Sequence, residues 1–433
     1  MPIKALRNLK ARYAPQGSFR SHVLTLMTGT TIAQAIPIAV SPILTRIYGP
    51  QDFGVYVLFM AIMGLISSVS TGCYEFAVVL PEKEEDAANT LWLSILISVV
   101  VSLVAIMAIF MFNRQITRLI NNQEISLWLY FIPLSVFLTG VYQVFSYWCM
   151  RKKQFDRLAT TRVLQSIATA AMNLGLGFGG LTSIGLIAGG IGGQSLAMGV
   201  IAWQTWQQDR QALSNVSISK IKEQFKRYKN FPRFVLFQSF FDMLRESGTT
   251  FVISRFYPGA VLGFYALSLR AVRTPLNLMG SSVSQVFYQT AAQSHNRGEE
   301  LWPLVRKVMR KLVMVGLPIF IVIAIFGGDI FSILFGDKWR VAGSYAQILS
   351  LWLFINFISS PISKVPMVLG KQGSFLLICI GYNIIIPITI FLAASSGGAM
   401  RLALWSVSIM GSGCLVGIIL WIAKISKRKG LIN

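Results

Sequence analysis

The sequence has little charge, almost no histidine and few cysteines, and each shortage excludes a class of protein. Only 13% of its 433 residues are charged, about half the share in soluble globular domains, whereas 54% are apolar. Two histidines and four cysteines without a close-spaced pair do not provide a metal centre or a disulfide framework. No phosphate-binding loop of the Gly-x-x-x-x-Gly-Lys-Ser/Thr type is present, which excludes ATP hydrolysis by that route. The composition indicates a polytopic membrane protein with no metal or cofactor.

Long apolar runs occupy most of the chain. A helix that crosses a bilayer needs about 20 apolar residues, and six such runs can be placed in each half. They are Ser21–Ile47, Phe53–Gly72, Ala87–Phe112, Ser126–Met150, Thr160–Leu181, Thr182–Trp206, Phe234–Phe256, Ala260–Ser281, Val305–Gly327, Ser344–Leu369, Gly373–Ala394 and Arg401–Ala423. The predicted fold is all-α, with about twelve transmembrane helices. Its domains are a basic interfacial helix (1–20), an N-lobe (21–206), a cytoplasmic linker (207–233), a C-lobe (234–423) and a basic cytoplasmic tail (424–433).

Lysine and arginine concentrate in alternate loops. The net charge of +23 would suggest nucleic-acid binding in a soluble chain, but in membrane proteins Lys and Arg collect in cytoplasmic loops. With the amino terminus inside, the cytoplasmic segments hold 27 Lys and Arg residues and the outer segments hold 7. We therefore predict a multi-pass membrane protein with both termini in the cytoplasm and no nucleic-acid partner.

A short pattern occurs twice, each time between the first and second span of a half. Arg46–Leu58 aligns without gaps with Arg255–Leu267 at a constant offset of 209, and Arg, Tyr, Gly, Tyr and Leu recur. Because six spans separate the copies, both have the same membrane orientation, which predicts two parallel six-helix lobes related by an axis along the membrane normal. The alternative is chance similarity at a common type of turn. All predicted outer loops are short, which favours transport over catalysis.

Arg270 and Arg273 are the most informative charged residues. A charge near the bilayer centre costs about 2.5 to 3.5 kcal/mol even on lenient insertion scales, and both arginines lie near the middle of the eighth span. Three residues apart, they share a helix face. They predict a binding site for a phosphate or another anion, which a guanidinium can bind through two hydrogen bonds. The alternative is structural pairing with carboxylates of another helix.

A second charged group lies in the seventh span, and one lysine lies in the tenth. Asp242, Arg245 and Glu246 are three and four residues apart, and Arg245 can neutralise only one of the two carboxylates. Asp242 or Glu246 therefore either pairs with the arginines of the eighth span or binds a coupling ion. Lys364 lies between two prolines, where a kinked helix can open to a cavity. Lys364 either contacts the anion bound by Arg270 and Arg273, to which Arg245 is a further candidate contact, or reaches the cytoplasmic surface.

Three further residues are candidates for structural or gating roles. Glu75 lies near the cytoplasmic end of the second span, where the alternative is a helix-end group that simply reaches water. Arg46 and Arg255 flank the repeated turns at the predicted outer surface, and anchoring of a helix end is the favoured interpretation of both.

Three stretches resemble bacterial polysaccharide, or O-antigen, flippases. The first is Ser41–Tyr56, and the others are Tyr74–Pro81 and Leu262–Arg270. Together with the spans, the resemblance covers nearly the whole chain. It implies the fold of the multidrug/oligosaccharidyl-lipid/polysaccharide exporter superfamily, in which two six-helix lobes surround a central cavity. One departure is Cys73, where the resemblance leads us to expect arginine, so the substrate or partner can differ at that position.

The resemblance also implies a location in the bacterial inner membrane, a substrate and partners. The substrate is an oligosaccharide on undecaprenyl pyrophosphate, turned from the cytoplasmic to the periplasmic leaflet, and the partners are membrane lipid, a polysaccharide polymerase and a chain-length regulator. The competing hypotheses are an ion-coupled multidrug or cation antiporter of the same superfamily and a non-transporting scaffold of glycan assembly. A cation antiporter should have an excess of carboxylates facing its cavity. Here the basic residues singled out in or near the spans outnumber the acidic ones by five to three: Arg162, Arg245, Arg270, Arg273 and Lys364 against Asp242, Glu246 and Glu75.

Overall fold

The computed structural model describes residues 19–427, with side chains from Leu26 onward apart from a few helix positions. All regular structure in this part is helical. The α-helices, numbered α1 to α15, are Phe19–Ile47, Pro50–Ser67, Glu84–Ile120, Ile125–Leu129, Ile132–Arg151, Phe155–Phe178, Ser183–Ser214, Ile218–Arg227, Leu236–Phe256, Gly259–Asn296, Trp302–Phe335, Arg340–Ile362, Val365–Val368, Gln372–Ser395 and Met400–Ser426. Two 3₁₀ helices (Tyr74–Val79 and Asp337–Trp339) and one π-helical turn (Phe231–Val235) complete the order.

The predicted all-helical, polytopic fold is confirmed. Every predicted span falls on a helix or on two consecutive helices. Within residues 19–427, nine helical segments are long and apolar enough to cross a membrane, so the number twelve stays a prediction. The three predicted spans outside those nine are α6, α9 and α10. Helix α6 carries Arg162, α9 carries the charged group of the seventh span, and α10 carries Arg270 and Arg273. These charges lower the hydropathy of the three helices.

Helix α3 shows how the sequence pattern produces packing. Its first turn holds Glu84 and two further acidic residues, which the positive end of the helix dipole stabilises. Small residues follow at helical spacing, so that Ser94, Ser98 and Ser102 are buried on one face. The opposite face exposes large apolar side chains. A Cβ atom on Gly140 of α5 would lie 2.5 Å from the Ser98 hydroxyl oxygen, so these two small residues allow the helix backbones to approach closely.

The described chain forms two compact units. The first comprises residues 19–48 and 58–247, and the second comprises 49–57 and 248–427. Helices α2 and α9 each contribute residues to both. The predicted division into lobes, linker and basic ends stays a prediction. Residues 1–18 of the predicted interfacial helix (1–20) and residues 428–433 of the predicted tail (424–433) lie outside the described residues.

Segments predicted on one side of the membrane meet within the first unit. At the predicted cytoplasmic side, Arg151 donates to the carbonyl oxygen of Pro81 at 2.5 Å, and Lys152 pairs with Glu84. At the predicted outer side, Asn113 of α3 donates to the carbonyl oxygen of Ser126 at 2.9 Å. These contacts agree with the alternation of loops deduced from Lys and Arg, while the identity of the cytoplasmic side stays a prediction.

The two copies of the repeated pattern pack against each other within the second unit. A Cβ atom on Gly54 would overlap the carbonyl oxygen of Gly259, and one on Gly263 would overlap that of Pro50. The offset of 209 relates Gly54 to Gly263 and Pro50 to Gly259. The two contacts are therefore equivalent, as they would be around a local two-fold axis. The equivalence of these two contacts favours a true internal repeat over chance similarity.

The repeated tyrosines also make equivalent contacts, each within its own unit. Tyr48 donates its hydroxyl to the carbonyl oxygen of Asn173 at 2.7 Å, and Tyr257 donates to that of Gly398 at 3.0 Å. In each half, the acceptor belongs to the fifth predicted span or to the turn that follows it. The tyrosine thus ties the first turn of each half to the last pair of helices.

Candidate anion-binding site

A cavity inside the second unit brings together two of the predicted cationic residues. It has a volume of about 330 Å³, within the range of roughly 300 to 1,000 Å³ that is usual for small-molecule sites. Arg273 of α10 and Lys364 both line it. Arg273 lies fourteen residues after Gly259, the first residue of α10, or about 21 Å along the axis. Arg273 therefore lies well within the length of α10, far from the first turn of this helix.

Lys364 reaches the cavity at a break in its helix. Helix α12 ends at Ile362 and the short α13 begins at Val365, with Lys364 as its N-cap residue. Pro361 and Pro366 flank the break, and each lacks the amide hydrogen that would continue a helix. The interruption predicted from the two prolines is confirmed.

The remaining polar lining comes from neutral side chains. Asn356 and Ser360 of α12, Ser284 of α10 and Ser363 in the break contribute amide and hydroxyl groups. Among the described lining residues no carboxylate is present. The cavity therefore combines two cations with several neutral hydrogen-bond donors, the composition that a multiply charged anion requires.

Arg273 is held by an aromatic contact. Its guanidinium carbon lies 4.7 Å from the ring centroid of Trp352, a separation at which cation–π attraction is effective. Trp352 is only 2% exposed, and its indole Nε1 donates to the Tyr382 hydroxyl at 2.9 Å. A Cβ atom on Gly411 would lie 2.8 Å from the Trp352 ring. Trp352 is thus fixed by α14 and α15, and it in turn orients Arg273.

The Arg273 side chain has a buried hydrogen-bond donor without an acceptor. Its Nε atom is buried and has no acceptor in the described part of the chain. A buried donor without a partner costs about 1 to 3 kcal/mol, and an anion in the adjoining cavity would supply the acceptor. None of the ion pairs between described residues includes Arg273 or Lys364. The alternative of one-to-one pairing of Arg273 with a carboxylate is not observed among them.

The other predicted charges of α9 and α10 lie elsewhere. Arg270 is exposed and does not line the cavity, although it is one turn from Arg273. Asp242 and Glu246 are exposed on α9, and no ion pair between described side chains includes them. The side chain of Arg245 lies outside the described part of the structure. A coupling-ion role for the carboxylates stays a prediction.

Glu75 is buried in the first unit. Gly72 and Cys73 adopt left-handed backbone conformations, with φ of 61° and 60°, and turn the following 3₁₀ helix into the unit. Glu75 is 6% exposed and accepts a hydrogen bond from Thr71, while burial raises the pKa of its carboxyl group. The interpretation of Glu75 as a helix-end group that reaches water is wrong, because the two left-handed residues direct it inward. Burial also raises the pKa of the Cys73 thiol to about 11.

Arg46 and Arg255 occupy equivalent positions in the repeat. Each is exposed in the last turn of its helix, α1 and α9 respectively, where the helix dipole favours a cation. The guanidinium carbon of Arg255 also lies 5.8 Å from the ring centroid of Phe256. These positions agree with helix-end anchoring, and gating stays a prediction.

Comparison with known proteins identifies the family. A family model described as "Polysaccharide biosynthesis protein" matches residues 43–344. The chain belongs to this family. It is also 21% identical over 154 residues to an uncharacterized membrane protein in the cps region of Klebsiella pneumoniae, a match over 36% of this chain. The match spans 32% of that relative's length. The family membership confirms the resemblance to polysaccharide flippases at the level of the family.

Solved transporters share the fold. An inward-facing MATE family multidrug transporter of the MOP superfamily superposes with a TM-score of 0.69 over 92% of this chain and 94% of its own. Lipid II flippase MurJ, in an inward closed conformation, superposes equally well over 93% and 90%. Both are 14% identical to this chain, so the likeness establishes the fold alone. The polysaccharide biosynthesis protein therefore has a transporter fold and is a multi-pass membrane protein.

Three residues of the site were not predicted from the sequence. Trp352, Tyr382 and Gly411 belong to three different helices, and residues of these types are common in transmembrane helices. Only the tertiary structure brings them to Arg273. A charged residue in an apolar run, by contrast, is visible in the sequence because its burial is costly.

Proposed function

We propose that the protein is a flippase that moves an oligosaccharide linked to undecaprenyl pyrophosphate from the cytoplasmic to the periplasmic leaflet by alternating access. The observation that carries the proposal is the cavity with Arg273 and Lys364 and without a described carboxylate. A diphosphate needs neutralisation by cations when it leaves water, and this cavity provides them. The family membership supports a role in polysaccharide biosynthesis.

Each group of the cavity has a role in the proposal. The guanidinium of Arg273, oriented by Trp352, donates to the diphosphate oxygens, and its unpaired Nε supplies one donor. Lys364, which lies at the helix break, neutralises further negative charge of the diphosphate. Arg270, one turn away and exposed, contacts the diphosphate as it enters or leaves, and Arg245 is a further candidate contact. The sugars cross through an aqueous path while the polyprenyl tail stays in lipid.

The remaining components of the proposal are the energy source and the setting. Asp242 and Glu246 are exposed carboxylates, which suits reversible binding of a coupling ion. The protein lies in the bacterial inner membrane with both termini in the cytoplasm. It works beside a polysaccharide polymerase and a chain-length regulator.

The cavity's charge separates this proposal from its competitors. A multidrug or cation antiporter would expose its organic cation to Arg273 and Lys364, and like charges in a low-dielectric site repel each other strongly. A buried guanidinium with an unpaired donor destabilises the folded protein. In a scaffold that binds no anion, nothing would compensate for this cost.

The decisive experiment measures flipping by purified protein. Proteoliposomes would contain an undecaprenyl-pyrophosphate oligosaccharide, and a membrane-impermeant sugar-modifying enzyme would report the fraction in the outer leaflet. We expect Arg273→Gln and Lys364→Gln each to slow flipping by about tenfold to a hundredfold, because each removes a charge-assisted hydrogen bond worth about 1.5 to 3 kcal/mol. Arg118→Gln, at an exposed arginine of α3, is the matched control and should flip at the wild-type rate.

Three outcomes would overturn the proposal. The first is that both cavity variants, shown by gel filtration to be folded, flip the lipid at the wild-type rate. The second is faster transport of an organic cation than of the lipid-linked oligosaccharide. The third is an absence of flipping by the wild-type protein while cells that contain Arg273→Gln keep their surface polysaccharide, as a scaffold predicts.

A further inference from the structure

A second cationic site lies on the surface of the second unit, apart from the cavity of Arg273. It is a groove of about 620 Å³ at the start of α11. Its lining includes Trp302, Arg306, Lys307, Arg310, Lys311 and Met314. No lining residue is shared with the Arg273 cavity, so the two sites can be tested independently.

The four cations form one compact patch. Arg306 and Arg310 are one helical turn apart, as are Lys307 and Lys311. All four line the same groove within about 7.5 Å along the axis. All four are exposed, and none takes part in an ion pair between described residues. The acidic residues at 299 and 300 precede the helix and do not line the groove. The patch therefore carries four positive charges without compensation.

The patch ends where the helix surface becomes apolar. Met314 lines the groove, and Val315, Leu317 and Ile319 continue the exposed apolar surface of α11. Lys311 and Met314 are about 4.5 Å apart along the helix axis. The cationic surface is therefore separated from the apolar surface by less than one helical turn. This succession is typical of a helix that passes from the headgroup region into the hydrocarbon core.

The opposite end of the groove carries an aromatic residue. Trp302 begins α11, and the ammonium nitrogen of Lys427 lies 5.3 Å from its ring centroid. Tryptophan is enriched at the headgroup level of membranes. Both Trp302 and Lys427 belong to segments that the Lys and Arg count assigns to the cytoplasmic side, so the groove lies at the predicted cytoplasmic surface.

We propose that this groove binds the phosphate of an anionic phospholipid of the cytoplasmic leaflet. The four cations hold the phosphate, and the acyl chains lie along the exposed apolar surface below it. A soluble acidic protein or free phosphate would use only the cationic part. A phospholipid is the ligand that matches both surfaces in the order in which they occur, and basic pockets of this kind attract anionic headgroups.

The test is lipid binding by the full chain in detergent, followed by native mass spectrometry during titration with phosphatidylglycerol or phosphatidylethanolamine. We expect tighter binding of phosphatidylglycerol, and we expect Arg306→Gln/Arg310→Gln to weaken it by roughly tenfold or more. The matched control is Arg114→Gln/Arg118→Gln, which removes two exposed arginines at the same spacing from α3 and should leave binding unchanged. Arg306→Lys/Arg310→Lys should keep most of the binding and covers the case in which the glutamine variant fails to fold.

The proposal is overturned if phosphatidylethanolamine binds as tightly as phosphatidylglycerol, or if the Arg306/Arg310 variant and its control lose binding equally. It is also overturned if inorganic phosphate at equal concentration displaces the lipid, since the site would then recognise the phosphate alone. Flipping by the Arg273 variants has no bearing on these outcomes.

Discussion

At the scale of single residues, Glu75 is a carboxyl group in an environment that disfavours its charge. It is 6% exposed and receives one side-chain hydrogen bond, from Thr71. Burial outweighs that hydrogen bond and raises the pKa. The folded protein therefore binds this proton more tightly than the unfolded chain does. The resulting contribution to stability is present at low pH and is lost as the pH rises through the folded-state pKa.

Glu75→Gln should remove this pH dependence, because an amide keeps the shape of the protonated acid and does not titrate. We expect the wild-type melting temperature to fall more between pH 5 and pH 8 than that of the variant, and the variant to be at least as stable at pH 8. Thermal unfolding in detergent, read by intrinsic fluorescence, measures this. Glu82→Gln, at an exposed glutamate, is the control; identical pH profiles for wild type and Glu75→Gln would contradict the prediction.

The residues that could be predicted from sequence are those whose chemistry conflicts with their surroundings. Arg273 and Lys364 were predicted because charge within an apolar run is costly. The same reasoning could not separate Arg273 from Arg270, since both share a helix face and only the tertiary structure shows which one a cavity adjoins. Glu75 was misinterpreted because the left-handed turn before it involves Cys73, a residue type that gives no signal for that conformation.

At the scale of helices, α2 and α10 meet at their first turns through glycine. Gly54 and Gly263 each lie against the backbone of the other helix, at Gly259 and Pro50 respectively. Backbone atoms cannot rotate away as a side chain does, so an added methyl group must separate the helices. The repeat therefore preserves glycine at this position for a steric reason that the sequence alignment alone does not reveal.

Gly54→Ala and Gly263→Ala should each destabilise the protein by about 1 to 3 kcal/mol, the usual cost of overpacking. The control is Gly199→Ala in α7, where a Cβ atom would meet nothing within 4 Å and alanine favours the helix by up to about 1 kcal/mol. Melting temperatures of the three variants in the same detergent provide the comparison. Equal stability of all three would show that α2 and α10 do not approach this closely.

Helix ends were predicted less well than helix positions. Helix α3 continues to Ile120 and α10 to Asn296, well beyond the predicted ends at Phe112 and Ser281. Hydropathy locates the part of a helix that suits hydrocarbon, whereas hydrogen bonding extends the helix into polar surroundings. The break at Lys364 was predictable because proline imposes it locally.

At the scale of the whole molecule, the alternation of loops deduced from Lys and Arg agrees with the contacts inside each unit. Segments assigned to one side meet, as Arg151 and Pro81 do in the first unit and as Lys427 and Trp302 do in the second. Such contacts fix relative sidedness. The absolute orientation depends on the positive-inside rule.

Labelling of single cysteines would determine the orientation. In a variant without the four native cysteines, Ser396→Cys and Ser219→Cys each place a thiol at an exposed serine, the former in a predicted outer turn and the latter in the predicted cytoplasmic linker. We expect a membrane-impermeant maleimide to label Ser396→Cys in intact cells, and Ser219→Cys only after permeabilisation. The reverse pattern would place both termini outside the cell.

The residues that surround the Arg273 cavity all belong to a single compact unit. In the proposed cycle, a substrate headgroup bound there would move together with that unit. All its contacts with the protein would be kept when the other unit moves. Opening alone would therefore leave the headgroup bound. Its discharge would need entering water to replace the protein donors, or a shift of Lys364 at the break between α12 and α13.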